Sequence, residues 1–347
     1  MNSALTASLV RWYRANRRDL PWRADTDPYK VWLSEIILQQ TRVVQGTAYF
    51  EKFVDLFPDI HALAKAPEQG VMKAWQGLGY YSRARNLMAT ARQISGMGGH
   101  FPETAEELQK LKGVGPYTAA AIASISFGEA VPVLDGNVMR VLARYYGIED
   151  AIDLPATKKT MYQLLNDLIP SKNPGEFNQA MMEFGALVCT PRSPLCAECP
   201  VSSSCHALGE NKVDLLPVKQ SKKAPKSVYL YYFLHRNNAG IAMRKRPSTG
   251  IWHNLYEFPG IESEAELSPD EAMMKAGFSD AAAINHVSEE FRHILTHRIF
   301  HCRVIEIKSA RLPEGITKGL ERFRADAIRE LPVSRLMEKI LDDLKVG

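Results

Sequence analysis

The chain is expected to fold as two domains, an all-α one followed by an α+β one, and three features of its 347 residues carry that reading. Across residues 1–208 apolar side chains recur at three- and four-residue intervals, the period of amphipathic helices. Pro58, Pro67, Pro102, Pro116, Pro155 and Pro174 punctuate that pattern as helix breaks. Residues 209–226 turn polar and lysine-rich, and with Pro217 and Pro225 opposing any long helix they read as a linker. Across 227–347 the period changes. Residues 228–235 are dense in aromatic and β-branched side chains, 299–307 alternate apolar with polar, and 334–344 return to helix.

With 46% hydrophobic and 24% charged residues, the composition is that of an ordinary globular protein with enough apolar content for a sizeable core. The formal net charge of +4 does not by itself announce nucleic acid. One local surplus stands out, because Arg11, Arg14, Arg17, Arg18 and Arg23 meet only Asp19 before Asp25; such a run forms a solvated face or one that meets phosphates. No apolar stretch approaches the roughly eighteen residues a membrane span needs. The opening residues lack the long apolar segment of a secretion signal, which points to a reducing cytoplasm.

Taken in order, the first segment with chemical content is 29–41, read as a helix containing Glu35. Glu35 follows Val31 by one turn, precedes Leu38 by three residues and is flanked by Ile36 and Ile37, so apolar surroundings are expected to raise its pKa. A carboxylic acid raised in that way donates protons near neutral pH. Next, Gly113 and Gly115 within 111–119 suit a tight turn between two helices whose bare amides, at a helix N-terminus, can meet a phosphate. Twenty residues beyond Gly115, Asp135 opens another helix, where a carboxylate caps amides and stays ionised. Finally Cys189, Cys196, Cys199 and Cys205 lie at spacing C-x6-C-x2-C-x5-C. Four thiolates suit a tetrahedral zinc or an iron-sulfur cluster. Zinc sites usually show two close pairs, and here only Cys196 and Cys199 form one; two disulfides are the remaining alternative.

On these residues, 1–208 resembles the helix-hairpin-helix superfamily of DNA glycosylases. The family hairpin has the form L-P-G-V-G-x-x-T-A, with Lys112 here where proline is frequent, and an aspartate begins a later helix. In that family a four-cysteine loop with this spacing carries a [4Fe-4S] cluster, which assigns Cys189, Cys196, Cys199 and Cys205 as its ligands. Strand-cutting members carry a Schiff-base lysine at the position of Tyr117; a phenol cannot form a Schiff base, so water is implied as the attacking species. Pro21-Trp22-Arg23, the Ser34-Glu35 to Leu38-Gln39-Gln40-Thr41 segment and Gly77-Leu78-Gly79-Tyr80-Tyr81-Ser82-Arg83-Ala84-Arg85-Asn86 further resemble adenine DNA glycosylases of the MutY type.

The resemblance implies a monofunctional base excision repair enzyme that hydrolyses the N-glycosidic bond of adenine mispaired with 8-oxoguanine or guanine. Glu35 would protonate the flipped base, Asp135 would stabilise the positive sugar, and Tyr117 and Asn137 would position them. Gln40 and Tyr80 would wedge into the duplex, with Thr41, Leu78, Gly113 and Gly115 also meeting DNA. Trp22, Arg23, Leu38 and Glu183 would line the adenine pocket. The implied partner is double-stranded DNA, engaged by a monomer in the nucleoid.

Residues 227–347 resemble the Nudix-like C-terminal domain of the same family. Gly260 and Glu266 match the start of the metal-binding box G-x5-E-x7-R-E-x2-E-E, but Met274, Lys275, Phe278 and Ser279 replace its arginine and acids, so no catalytic metal is expected. The implied role is recognition of 8-oxoguanine through a loop of the form F-S-H. This chain offers Leu295-Thr296-His297 there, keeping a hydroxyl and losing a ring. A strand-cutting endonuclease, a nucleotide-pool hydrolase and a non-catalytic binder are the rivals. Tyr117, the missing acids, and the pairing of Glu35 with Asp135 oppose them in turn.

Overall fold

The computed structural model describes residues 2–221, 224–279, 282–309 and 311–346. Contacts divide the chain into two units, Met1–Ala66 with Ser82–Ser221, and Pro67–Tyr81 with Lys222–Gly347. The first is helical: α1 (Asn2–Asn16), α2 (Pro28–Leu38), α3 (Val43–Leu56) and α4 (Ile60–Lys65) precede α5 (Glu68–Trp75), which belongs to the second unit. α6 (Ser82–Gly96), α7 (Ala105–Leu108), α8 (Pro116–Ser126), α9 (Gly136–Tyr146), α10 (Pro155–Leu168), α11 (Pro174–Leu187) and α12 (His206–Gly209) complete the first.

Pro116, Pro155 and Pro174, expected as breaks, are helix starts. Each occupies the first turn, where a missing N–H costs nothing and the fixed φ suits the helix. Side chains cap other helices: Asp27 accepts from the Tyr29 amide, Asp59 from Ala62, and Asp135 from Val138. α8 is apolar over most of its surface and almost wholly buried, with α2 and α11 packed against it. Gly175 permits the α11 approach, since a Cβ there would lie 2.6 Å from the Ser124 carbonyl oxygen. Asn178 on α11 then pins the segment that leads to Asp135. It accepts from the Val133 amide at 3.0 Å and donates to the Val131 carbonyl at 2.9 Å. A second core joins α1, α9, α10 and α11 through Leu5, Leu9, Val141, Leu142, Leu165 and Phe177.

The stretch expected as a linker is fastened to the helical unit over its first part. Arg144 donates to the carbonyls of Val213 at 3.1 Å and Leu216 at 2.9 Å, and the Ile152 amide donates to the Val218 carbonyl at 3.0 Å. A buried guanidinium needs acceptors, and these carbonyls supply them.

The second unit is built on a mixed sheet of β1 (Lys226–Asn237), β2 (Gly240–Lys245), β3 (Tyr256–Glu257), β4 (Gly260–Ser263), β5 (Ala283–Val287), β6 (Phe291–Ile294), β7 (Arg298–Lys308) and β8 (Leu320–Phe323). The main path runs β3-β2-β1-β7-β5, with β4 on β1, β6 on β7 and β8 on β2. β1 and β7 are parallel, from Lys226 opposite Arg298 to His235 opposite Ile307. Their alternation sorts two faces. Leu230, Tyr232, Leu234, Phe300, Cys302 and Val304 pack with Leu336, Met337 and Ile340. Tyr231, Phe233, Ile305 and Ile307 pack with Ala272, Met273 and Ala276 of α13 (Pro269–Ala276). Short α14 (Glu314–Thr317) and α15 (Ala325–Ile328) precede α16 (Arg335–Asp343), which covers the first face.

Residues 67–81, which the sequence places inside the helical domain, cluster instead with this unit: Tyr81 donates to the Val333 carbonyl at 2.9 Å, and Lys73 to that of Arg329. Among the described residues no helix is long and apolar enough to cross a membrane.

The Gly175 contact yields a stability test. Gly175→Ala is expected to force α11 away from α8 and to cost roughly 1–3 kcal/mol, the usual penalty for overpacking. Chemical denaturation followed by helical circular dichroism measures it.

Candidate active site

Nine of the residues singled out from sequence line one cavity of about 420 Å³: Trp22, Arg23, Glu35, Leu38, Thr41, Tyr117, Asp135, Asn137 and Glu183. That volume lies in the range of small-molecule sites. A second cavity of about 260 Å³ shares Glu35, Leu38, Tyr117 and Asp135, and adds Gln39 and Gln40. The two carboxyl groups therefore stand where the two cavities meet.

Glu35 lies on α2 immediately before the buried Ile36 and Ile37. Burial pushes its carboxyl up to about 7; the Tyr117 hydroxyl beside it pulls down, the Asp135 charge pushes up, and Arg23 pulls down. Tyr117 lies in the first turn of α8, with its hydroxyl 3.4 Å from the Met182 sulfur. Asp135 caps α9, accepting from the Val138 amide at 2.7 Å through one oxygen and from Asn137 Nδ2 at 2.8 Å through the other. Burial raises its pKa as well, against those two hydrogen bonds and Arg140. Two neighbouring carboxyls thus differ in kind: one is desolvated among aliphatic residues, and the other is seated on hydrogen-bond donors that favour its anion.

Glu183 on α11 accepts from the Arg18 amide at 3.0 Å, Arg18 Nε at 2.8 Å, Arg18 Nη2 at 2.6 Å and Arg23 Nη2 at 2.9 Å. Four donors fill the four lone-pair sites of a carboxylate. Burial alone would raise its pKa, but the two arginines outweigh it and hold Glu183 at about 2. Glu183 is therefore an anchor that orients Arg18 and Arg23 in the cavity wall. Trp22 serves both the core and the cavity, being buried with its ring edge-on to Phe50 at 5.4 Å.

Of the basic run, Arg14 pairs with Glu176 at the surface and Arg18, just beyond α1, reaches the buried Glu183, so the run is not a plain solvated face. Sequence reasoning missed Arg18 as a site residue, since its partner lies 165 positions away. It also missed Arg83, whose Nη1 donates to the carbonyls of Ile36 at 2.8 Å and Gln39 at 2.7 Å and fixes the end of α2.

Gln40 and Tyr80 are exposed and have φ of +59° and +45°. Non-glycine residues in the left-handed region are held there by their surroundings and concentrate at functional sites. Gly113, with φ of +78°, leaves no room for a side chain, because a Cβ would meet Asn86 at 2.5 Å. Gly115 is the exposed N-cap of α8. Leu78, expected to meet DNA, has its side chain buried, 7% exposed. In the second unit, Thr296 and His297 form the exposed turn between β6 and β7, closed by the Leu295 amide on the Arg298 carbonyl at 2.8 Å. Leu295 packs, partly buried, against the core of this unit.

Cys189, Cys196, Cys199 and Cys205 line one small cavity with Val188, Leu195 and Arg144, and are not bridged by disulfides. Among the described residues no three His, Cys, Asp or Glu side chains converge on a point as ligands of a single ion do. Four thiols around a shared space suit a polynuclear cluster. Burial pushes Cys199 up to about 11 and also raises Cys196, and the positive charge of a bound metal cluster would favour their thiolates. Arg144 Nη1 lies 3.5 Å from the Cys189 sulfur. Arg140 joins this loop to the carboxylates, donating to the Cys189 carbonyl at 2.7 Å, the Gly185 carbonyl at 2.6 Å and Asn137 Oδ1 at 2.9 Å.

Helical unit, glycine hairpin and paired carboxyls define a class, the base excision glycosylases. Residues 33–171 match the model of the HhH-GPD superfamily base excision DNA repair protein, 189–205 that of the iron-sulfur binding domain of endonuclease III, and 231–343 that of the NUDIX domain. The chain is 33% identical over 341 residues to the adenine DNA glycosylase of Buchnera aphidicola subsp. Acyrthosiphon pisum, covering 97% of this chain and 96% of that one. It is 35% identical to that of Homo sapiens, covering 86% and 66%. A thermostable thymine-DNA glycosylase superposes on 60% of this chain and 97% of its own, at a TM-score of 0.56 and 29% identity. The chain belongs to the adenine DNA glycosylases, hydrolases of N-glycosyl bonds in base excision repair, and its cofactor is a [4Fe-4S] cluster.

The Glu35 environment is testable by direct titration. Asp135→Asn, which still caps α9, is expected to lower the Glu35 midpoint below about 7, whereas Tyr117→Phe should raise it. Carbon-13 NMR of labelled glutamate carboxyls reads both shifts.

Proposed function

We propose that this enzyme is a monofunctional glycosylase that removes adenine mispaired with 8-oxoguanine or guanine from double-stranded DNA, acting as a monomer on chromosomal DNA in the cytoplasm. The observation that carries the reading is a carboxyl held near pKa 7 beside a second, hydrogen-bonded carboxyl in a cavity of ligand size. Breaking a purine N-glycosidic bond needs a proton on the departing base and a negative group near the positively charged sugar. Glu35 supplies the proton, at N7 of the flipped adenine. Asp135 supplies the charge, directly or as a transient covalent partner. Tyr117 and Asn137 orient them, and Tyr117, standing where a Schiff-base lysine would be, leaves the displacement to water.

Trp22, Leu38 and the Glu183-anchored Arg23 enclose the base. Flipping costs a few kcal/mol, which contacts elsewhere must offset. Gln40 and Tyr80, held at positive φ, are proposed to fill the vacated stack, with Thr41 and the hairpin amides of Gly113 and Gly115 on the backbone. Cys189, Cys196, Cys199 and Cys205 hold the [4Fe-4S] cluster; with all four thiolates engaged, it fastens the loop and offers no open position for hydrolysis. In the second unit Met274 and Lys275 of α13 stand where a Nudix hydrolase needs its arginine and an acid, and Lys275 donates to Ser263 at 3.1 Å. This supports a reader, with Thr296 and His297 recognising 8-oxoguanine.

Duplexes carrying adenine opposite 8-oxoguanine, guanine or thymine should yield alkali-labile sites in the first two. Glu35→Gln is expected to lower the single-turnover rate by roughly 10²–10⁴-fold, the usual contribution of a positioned acid, and full activity would remove the assignment. Because the raised pKa keeps the donor protonated below about 7, the wild-type rate should fall tenfold per unit as pH rises above that value. Thr296→Ala combined with His297→Ala should narrow the preference for 8-oxoguanine over guanine about tenfold, the worth of two ordinary hydrogen bonds, with the guanine rate little changed.

A further inference from the structure

The stretch Pro67–Tyr81 lies in sequence between α4 and α6 of the catalytic unit, yet it packs as part of the second unit. Its tethers are specific. Lys73 Nζ donates to the Arg329 carbonyl, the buried Tyr81 hydroxyl donates to the Val333 carbonyl at 2.9 Å, and Glu68 accepts from Asn254 Nδ2 at 3.1 Å. The receiving segment is itself rigid. Val333 bridges to Tyr256, the Tyr256 amide donates to the Pro332 carbonyl at 2.9 Å, and Leu331 and Val333 are buried in the core under α16.

Between these tethers and the surface the backbone is unusual: φ is +97° at Gly77, +67° at Gly79 and +45° at Tyr80, and Trp75 Nε1 donates to the Gly79 carbonyl at 3.0 Å. Tyr80 itself is 51% exposed, with its hydroxyl 3.3 Å from Thr296 Oγ1.

We propose that Tyr81 is a positioning residue for mispair discrimination: with Lys73 it locks Pro67–Tyr81 onto residues 329–333, so that Tyr80 and Thr296 meet the DNA as one rigid piece. This rests on reading Thr296 and His297 as the 8-oxoguanine contact. The physical reason is local. A tyrosine at positive φ stays there only when neighbouring contacts over-determine it, and the Gly79 carbonyl on one side and the Tyr81 hydroxyl on the other are two such contacts. Released from Val333, the turn relaxes, and Tyr80 loses its register against Thr296.

The test uses full-length protein and single-turnover excision of adenine opposite 8-oxoguanine and opposite guanine, corrected for active fraction. Tyr81→Phe keeps the buried ring and removes the tether. The rate ratio between the two substrates is expected to fall about fivefold, the factor one hydrogen bond of ordinary net strength commands, while the guanine rate stays within about twofold. Lys73→Met should shift the ratio in the same direction, and the double variant should fall no further than the lower single, since both hold one segment. A merely structural role would lower both rates together; that result, or an unchanged ratio in Tyr81→Phe, overturns the proposal. A wild-type ratio near one overturns the lesion-reading assignment itself and the tether's role with it.

Discussion

Two carboxyl groups enclosed in one protein cavity cannot both carry a full charge cheaply, because their repulsion grows as water is removed. The helical unit resolves this by giving the two sites unlike surroundings. Glu35 is desolvated at the cavity wall beside Tyr117, and burial keeps its proton on to about pH 7. Asp135 is seated on the N-terminus of α9, where an amide and the Asn137 side chain hold its oxygens. The helix packing around α8 and α11 serves to place one carboxyl on a desolvated flank and the other on a helix end within reach of each other.

The helix that Asp135 caps also carries Arg140 and Arg144, one turn apart, and both are buried. Buried guanidiniums demand acceptors, and these find carbonyls: Gly185 and Cys189 for Arg140, and Thr190, Val213 and Leu216 for Arg144. Since Arg140 also holds Asn137, which holds Asp135, the cysteine loop and the carboxylate share a single scaffold of α9. Removing one partner would leave several buried acceptors unmatched at once, each a costly loss. The loop is thereby structurally continuous with the active site although its chemistry is separate.

What was legible from sequence was local. The aliphatic neighbours of Glu35, the glycine hairpin, the aspartate opening a helix and the cysteine spacing each lie within a few turns of chain, and each reports backbone or burial requirements that side-chain type discloses. The sheet unit was legible through the alternation of 299–307. What stayed hidden depends on pairs far apart: Arg18 with Glu183, Arg83 with the end of α2, and the fastening of 213–218. Arginines in a basic run look alike until a distant acid selects one. A leucine between glycines likewise gives no sign of which way its side chain faces, and that of Leu78 is buried.

The tether between Lys73 and Arg329 spans 256 residues of chain. At a synthesis rate of about 5–20 residues per second, the earlier segment emerges some ten to fifty seconds before the carbonyl it will bind exists. For that interval Lys73 and Tyr81 lack the carbonyls of Arg329 and Val333 that hold them in the finished fold. The nascent chain thus carries a segment whose two tethers form only once residues 329–333 exist, so any ribosome that stops short of about residue 333 releases a product with Pro67–Tyr81 untied.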